Sequence, residues 1–134
     1  MLESPTVLDG LASRHGPPIR IRVGDARLTA RLDDNATAGD LSGQLPLTLT
    51  LRDHNGVEKT ALLPRKLSME GTPAGHDPGA GEIGYWAPHG DLVFYYDSDA
   101  PYFDGIVRIG RVDGDMSAIA HQDENFSVTV ERVE

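Results

Sequence analysis

The chain has 134 residues, the length of one domain, and no cysteine, which excludes disulfides and thiolate chemistry. Its formal net charge is −9 and is unevenly placed: residues 1–67 hold nine basic and eight acidic side chains, residues 68–134 three and thirteen. A surface of that sign repels phosphate backbones, so nucleic acid is not an expected partner, and no apolar run approaches the roughly 18–20 residues of a membrane helix.

Residues 1–17, with Gly10, Gly16 and Pro17, read as an irregular lead-in, leaving 18–134 as the folded domain. Glu3 and Asp9 break any charged-then-apolar leader pattern, so a soluble, cytoplasmic protein is expected. Ile19, Ile21 and Val23 alternate with Arg20 and Arg22, the period of a half-buried strand. Gly24-Asp25 supplies a turn, and Leu28, Ala30 and Leu32 alternate with Arg27, Thr29 and Arg31 in a second strand. The outward arginines are read as a solvated face paired with the acidic half, with a small anion site as the alternative. Thr37 and Asp40 have capping-box spacing, which predicts a short helix over about 37–45, stopped by Pro46.

Leu47, Leu49 and Leu51 alternate with threonines in the cleanest strand signal, and Asn55-Gly56 marks a hairpin returning through 60–63. A two-residue turn there would oppose Asp53 to Glu58 and Arg52 to Lys59, so a wider turn or splayed strands is expected. Residues 71–81, rich in Gly and Pro, form a long loop. Two strands follow around a Pro88–Gly90 turn, and they contain five of the eight aromatic residues: Tyr85, Trp86, Phe94, Tyr95 and Tyr96. Rings carry much of the apolar area a fold buries, so this hairpin is the expected keystone. Alternation places Leu92, Phe94 and Tyr96 on one face, Val93 and Tyr95 on the other. Both faces are apolar, which requires cover on both sides. Ile106–Val112 is another strand, Asp115 caps one helical turn holding Met116 and Ile119, and Phe126–Glu131 is the last strand. About eight strands and two short helices favour a mainly β barrel or sandwich.

The segments Leu45-Pro46-Leu47-Thr48-Leu49, Leu62-Leu63-Pro64, Gly81-Glu82-Ile83-Gly84-Tyr85-Trp86-Ala87-Pro88 and Ile109-Gly110-Arg111-Val112 resemble the cyclophilin-like small proteins of bacteria and archaea, a group without an assigned activity. Relatives tend to carry Asp where Glu82 stands. The resemblance covers about Ile19 to Glu131 and implies an all-β, closed barrel of about eight strands with a helix near each end. True cyclophilins isomerise prolyl bonds in an outer groove that uses an arginine in a Phe-His-Arg segment. This chain has no such segment, and Gln44 and Gln122 stand in no matching position, so no catalytic residue transfers. A fold can persist without the chemistry.

Gly79-Ala80-Gly81-Glu82-Ile83-Gly84 fits the dinucleotide fingerprint by letter, but a loop precedes it and a strand follows, the reverse of what a pyrophosphate site needs. The five histidines show no metal-ligand spacing, and Pro101 interrupts the Asp97, Asp99, Asp104 series, so no metal or cofactor is expected. No serine stands in a nucleophile-elbow pattern. The reading these residues support is a non-catalytic module that binds a small molecule or peptide in an aromatic-lined groove flanked by the 71–81 loop. Its candidate residues are Arg65, Glu70, Trp86, His89, Tyr96 and Phe103. The alternatives are a divergent prolyl isomerase with Arg65 as the amide-polarising donor, and a structural subunit that self-associates through the aromatic hairpin.

Overall fold

The computed structural model describes residues 15–97 and 100–133. Strand β1 (His15–Val23) pairs with β2 (Ala26–Asp33) across the Gly24 turn. It begins at His15, ahead of the expected Pro18, and its ladder is irregular between His15 and Pro18. Pro17 and Pro18 lack the N–H that a regular ladder requires. Helix α1 (Ala36–Gln44) follows, then β3 (Leu47–His54), β4 (Glu58–Leu62), the short β5 (Gly75–His76), β6 (Glu82–Trp86), β7 (Asp91–Tyr95), the short β8 (Phe103–Asp104), β9 (Ile106–Val112), the single turn α2 (Ser117–Ala120) and β10 (Phe126–Arg132). Eight strands close in the order β1-β10-β3-β4-β7-β6-β9-β2, every pair antiparallel, while β5 and β8 pair separately. A barrel of this size has an interior just wide enough for side chains to fill. Among the described residues, no helix is long and apolar enough to cross a membrane.

The alternating residues of the first two strands, of β3 and of β10 deliver Ile19, Ile21, Leu32, Leu49, Leu51, Val128 and Val130 to one interior cluster. The helices complete it, α1 through Ala38 and Leu41, α2 through Ile119 with its neighbour Met116. The capping-box expectation is corrected here. Asn35 is the N-cap, its side chain accepting from the Ala38 N–H at 2.8 Å. Thr37 is buried and donates to the Ser68 carbonyl at 2.6 Å, and Asp40 accepts the Ser68 N–H at 2.8 Å. These two residues clasp the segment after β4 instead of ending the helix. On the first hairpin, Arg20 and Arg22 both reach Glu131, at 3.1 and 3.6 Å, an acid of the second half.

The β3–β4 turn is wider than two residues, and the like-charge clash disappears. Arg52 pairs in register with Thr60, Asp53 with Lys59 and His54 with Glu58. Lys59 faces inward and is only 2% exposed. Its Nζ donates to the Gln122 carbonyl at 2.7 Å, pairs with Asp53 at 3.2 Å, and lies over the Tyr96 and Phe126 rings. A buried ammonium needs such a full set of partners. The hydrogen bond from the Tyr96 hydroxyl, above all, holds the Asp53 carboxyl below the usual carboxylate range. Burial, then the bond to Asp53, pushes the Tyr96 hydroxyl up to about 12.

Strand β7 is buried along its whole length. Leu92 and Phe94 enter the barrel interior, whereas Val93 and Tyr95 form a second cluster with Ile106, against which Trp86 and Ala100 pack. Gly84, in register with Val93, makes this outer cluster possible. A Cβ there would stand 2.7 Å from Tyr95 Cε2. The missing side chain lets the Tyr95 ring lie flat on the barrel wall. Gly84→Ala is therefore expected to cost about 1–3 kcal/mol. A lower denaturant midpoint at unchanged m-value checks this, and an unaltered midpoint would refute the packing.

Candidate functional site

The outer wall over β3, β4, β7, β6 and β9 carries three side-chain rows fixed by strand register. His54, Glu58 and Tyr95 form the first; Arg52, Thr60, Val93 and Gly84 the second; Leu62, Asp91, Trp86 and Ile106 the third. Among the described residues, no helix covers these rows. The segment around β8 crosses over them instead, and it encloses a cleft of about 460 Å³. Val93, Tyr95 and Ile106 make an apolar floor. Trp86 and Phe103 form an aromatic wall, their ring centroids 6.3 Å apart at an interplanar angle of 80°. The opposite wall is polar, built from Arg52, His54 and the Asn55–Val57 turn. An apolar pocket with a few converging polar groups is the usual form of a small-ligand site.

The aromatic wall is held by backbone. β8 pairs with β5 of the 71–81 loop, and the Gly105 N–H donates to the Ala74 carbonyl at 2.8 Å. The loop is fastened in turn by Glu82, which accepts from His76 at 2.8 Å and from Arg108 at 3.2 Å. The loop thus supports the wall from behind and contributes no side chain to the cleft. At the rim, His89 Nδ1 lies 3.0 Å from both Asp91 oxygens. Two carboxylate acceptors assign the proton to Nδ1, which leaves Nε2 of a neutral ring as a free acceptor. Asp91 is buried and His89 exposed, so the pair presents one nitrogen outward on a fixed support.

Burial raises the Glu58 carboxyl above its ordinary value. The charges of Asp53 and Asp91 act in the same sense, and His54 opposes them. Acids perturbed in this way concentrate at functional sites. Because the folded state favours the protonated form, ionised Glu58 weakens the fold at neutral pH. That penalty is complete above the raised folded pKa and vanishes below the unfolded value of 4.5. Glu58→Gln should accordingly be more stable than the parent at pH 7, with the advantage fading as pH falls through that window. Thermal melts at pH 7 and pH 4 measure this, and a variant less stable at pH 7 would contradict it.

The sequence matches the cyclophilin-like family over residues 21–131. The chain belongs to the cyclophilin-like family. The solution structure of a hypothetical protein from Archaeoglobus fulgidus is similar to it, with a TM-score of 0.68 and 20% identity, covering 88% of this chain and 95% of that one. At that identity the likeness is one of fold. No curated protein matches the chain.

Of the residues singled out in the sequence of this cyclophilin-like protein, the cleft brings together Trp86, His89 and Phe103. Arg65, Glu70 and Tyr96 do not line it. Arg65 pairs with Asp40 at 3.2 Å beside α1, Glu70 lies exposed in the segment after β4, and Tyr96 packs on the interior cluster with its hydroxyl on Asp53. Sequence reasoning did not select Arg52, His54, Glu58, Thr60 and Asp91, which the wall contributes through register. Their signal was parity: each falls outward on a strand whose inward residues are core. The dinucleotide-like glycines run into β6 with no helix behind them. Among the described residues, no three His, Asp or Glu side chains are grouped to hold a metal.

Proposed function

We propose that this cyclophilin-like protein is a non-catalytic binding module that takes a small molecule or a peptide in the outer cleft. The observation that carries this reading is the space left beside the outer face of β7. Its outer face bears Val93 and Tyr95, buried, yet the cover over them is a short segment that leaves a 460 Å³ space and keeps Phe103 55% exposed. A strand that needed cover for stability alone is better served by a packed helix. An aromatic ring left half in water beside a Trp matches the anchors that dominate recognition sites. The isomerase alternative gains nothing from Arg65, which is committed to Asp40 away from the cleft.

Trp86 is the single tryptophan, so its emission reports on the cleft. The uncharged dye N-phenyl-1-naphthylamine should bind with energy transfer from Trp86. Phe103→Ala should weaken that binding severalfold while changing stability by no more than about 0.5 kcal/mol, because the ring is exposed. Absence of energy transfer, or affinity indifferent to Phe103, would remove the cleft as the binding site.

A further inference from the structure

We infer that the cleft's ligand is an apolar monocarboxylate, its carboxylate held by Arg52 and Thr60 and its apolar body lying over Val93 toward Trp86. This rests on the cleft being the binding site. Arg52 lines the cleft and has no ion-pair partner among the described residues, whereas Lys59 on the next strand is paired with Asp53. The acid nearest in register to this stretch, Glu58, stands directly opposite His54, not Arg52. Arg52 is therefore an uncommitted cation at the edge of an apolar floor. Its guanidinium is a rigid, always charged fork that suits a carboxylate. Thr60, directly opposite in register and 8% exposed, adds a hydroxyl donor at the same place.

The same row then turns apolar, with Val93 and the Tyr95 ring over Gly84. From β3 to β6 is three strand steps, so the span from Arg52 to the Trp86 wall is about 14 Å. That length fits an aromatic ring on a short carboxylic acid, or the last three or four residues of an extended peptide ending in an apolar side chain. A single arginine, with Glu58 and Asp91 at the rim, favours one negative charge over the two of a phosphate monoester. His89 Nε2, on the side of the ring away from Asp91, is open to a hydrogen bond with the ligand.

The experiment compares 3-phenylpropanoate with 3-phenylpropanamide, and a triglycyl-phenylalanine peptide as its free acid and its C-terminal amide. Binding is read by Trp86 emission and by amide shifts in 15N-labelled protein. Each acid is expected to bind with shifts centred on Thr60, Val93 and Trp86, about tenfold tighter than its amide. Arg52→Gln, which breaks no ion pair among the described residues, should remove that acid preference, bringing each acid down to the affinity of its amide. 3-Phenylpropanoate binding more tightly than the peptide acid assigns a small molecule, the reverse order a peptide C-terminus. Acid and amide binding alike in the cleft, or an acid preference that survives Arg52→Gln, overturns the carboxylate assignment and leaves the cleft standing. If all four probes leave cleft resonances unmoved at millimolar concentration, the carboxylate assignment and the cleft reading fail together.

Discussion

Strand β7 must be covered twice, and most of the molecule answers that demand. Its inner side chains, Leu92 and Phe94, sit among the residues of the closed barrel. Its outer side chains, Val93 and Tyr95, belong to a separate cluster with Ile106. Closure of the eight-stranded wall meets the first demand and leaves no free edge. The second demand falls on a short crossing segment, tied down by the two-residue pairing of β5 with β8. Burial of a side chain such as Tyr95 is worth roughly 1.5–3 kcal/mol, so this cover is not decorative. The cleft is the space this cover leaves between the Trp86–Phe103 wall and the β3–β4 turn.

The glycine at position 84 and the network around Glu82 follow from the same constraint. Gly84 lets the Tyr95 ring lie against the wall, and the ring in turn forms part of the floor. Glu82, one strand-step from the cleft, gathers His76 and Arg108 and so fixes the loop that supports the aromatic wall. An aspartate at that position would be one methylene shorter, which gives the glutamate here a local reason. The wide β3–β4 turn moves Lys59 inside and sends Glu58 outward, beside Arg52 and His54, which the alternation of β3 already turns outward. One register choice thereby relieves a like-charge clash, completes the barrel interior and supplies the charged side of the cleft.

Much of the fold was legible because alternation, turn residues and a covered-on-both-sides strand are local signals. A barrel or sandwich, a 52–60 hairpin that is wide or splayed and the two faces of β7 follow from them, while closure of the barrel was implied by the family resemblance. The helix start was misread because Thr37 and Asp40 have the spacing of a cap, but their partner at residue 68 lies in a segment no local rule connects to them. The site was only half legible. Trp86, His89 and Phe103 share the cleft, but only the family resemblance puts Arg65 near a groove, and its partner Asp40 lies 25 residues away in sequence. Tyr96 carries a sharper lesson. The parity that groups it with Leu92 and Phe94 already separates it from Val93 and Tyr95, so it had to face inward. Parity turns the polar residues outward, but their meeting across one cleft is not legible, because β4 joins β7 and β6 joins β9 only through the strand order of the barrel.

The central claim is that β7 is the doubly buried spine of the molecule and that the β8 segment over it is a lighter cover. Native-state hydrogen exchange tests both parts in one measurement. The amides of Leu92, Val93 and Phe94 are expected to exchange only through global unfolding, while those of residues 102–104 exchange through a smaller, local opening. Exchange of the β7 amides through a sub-global opening, at a lower free energy than those of β1 and β10, would contradict it.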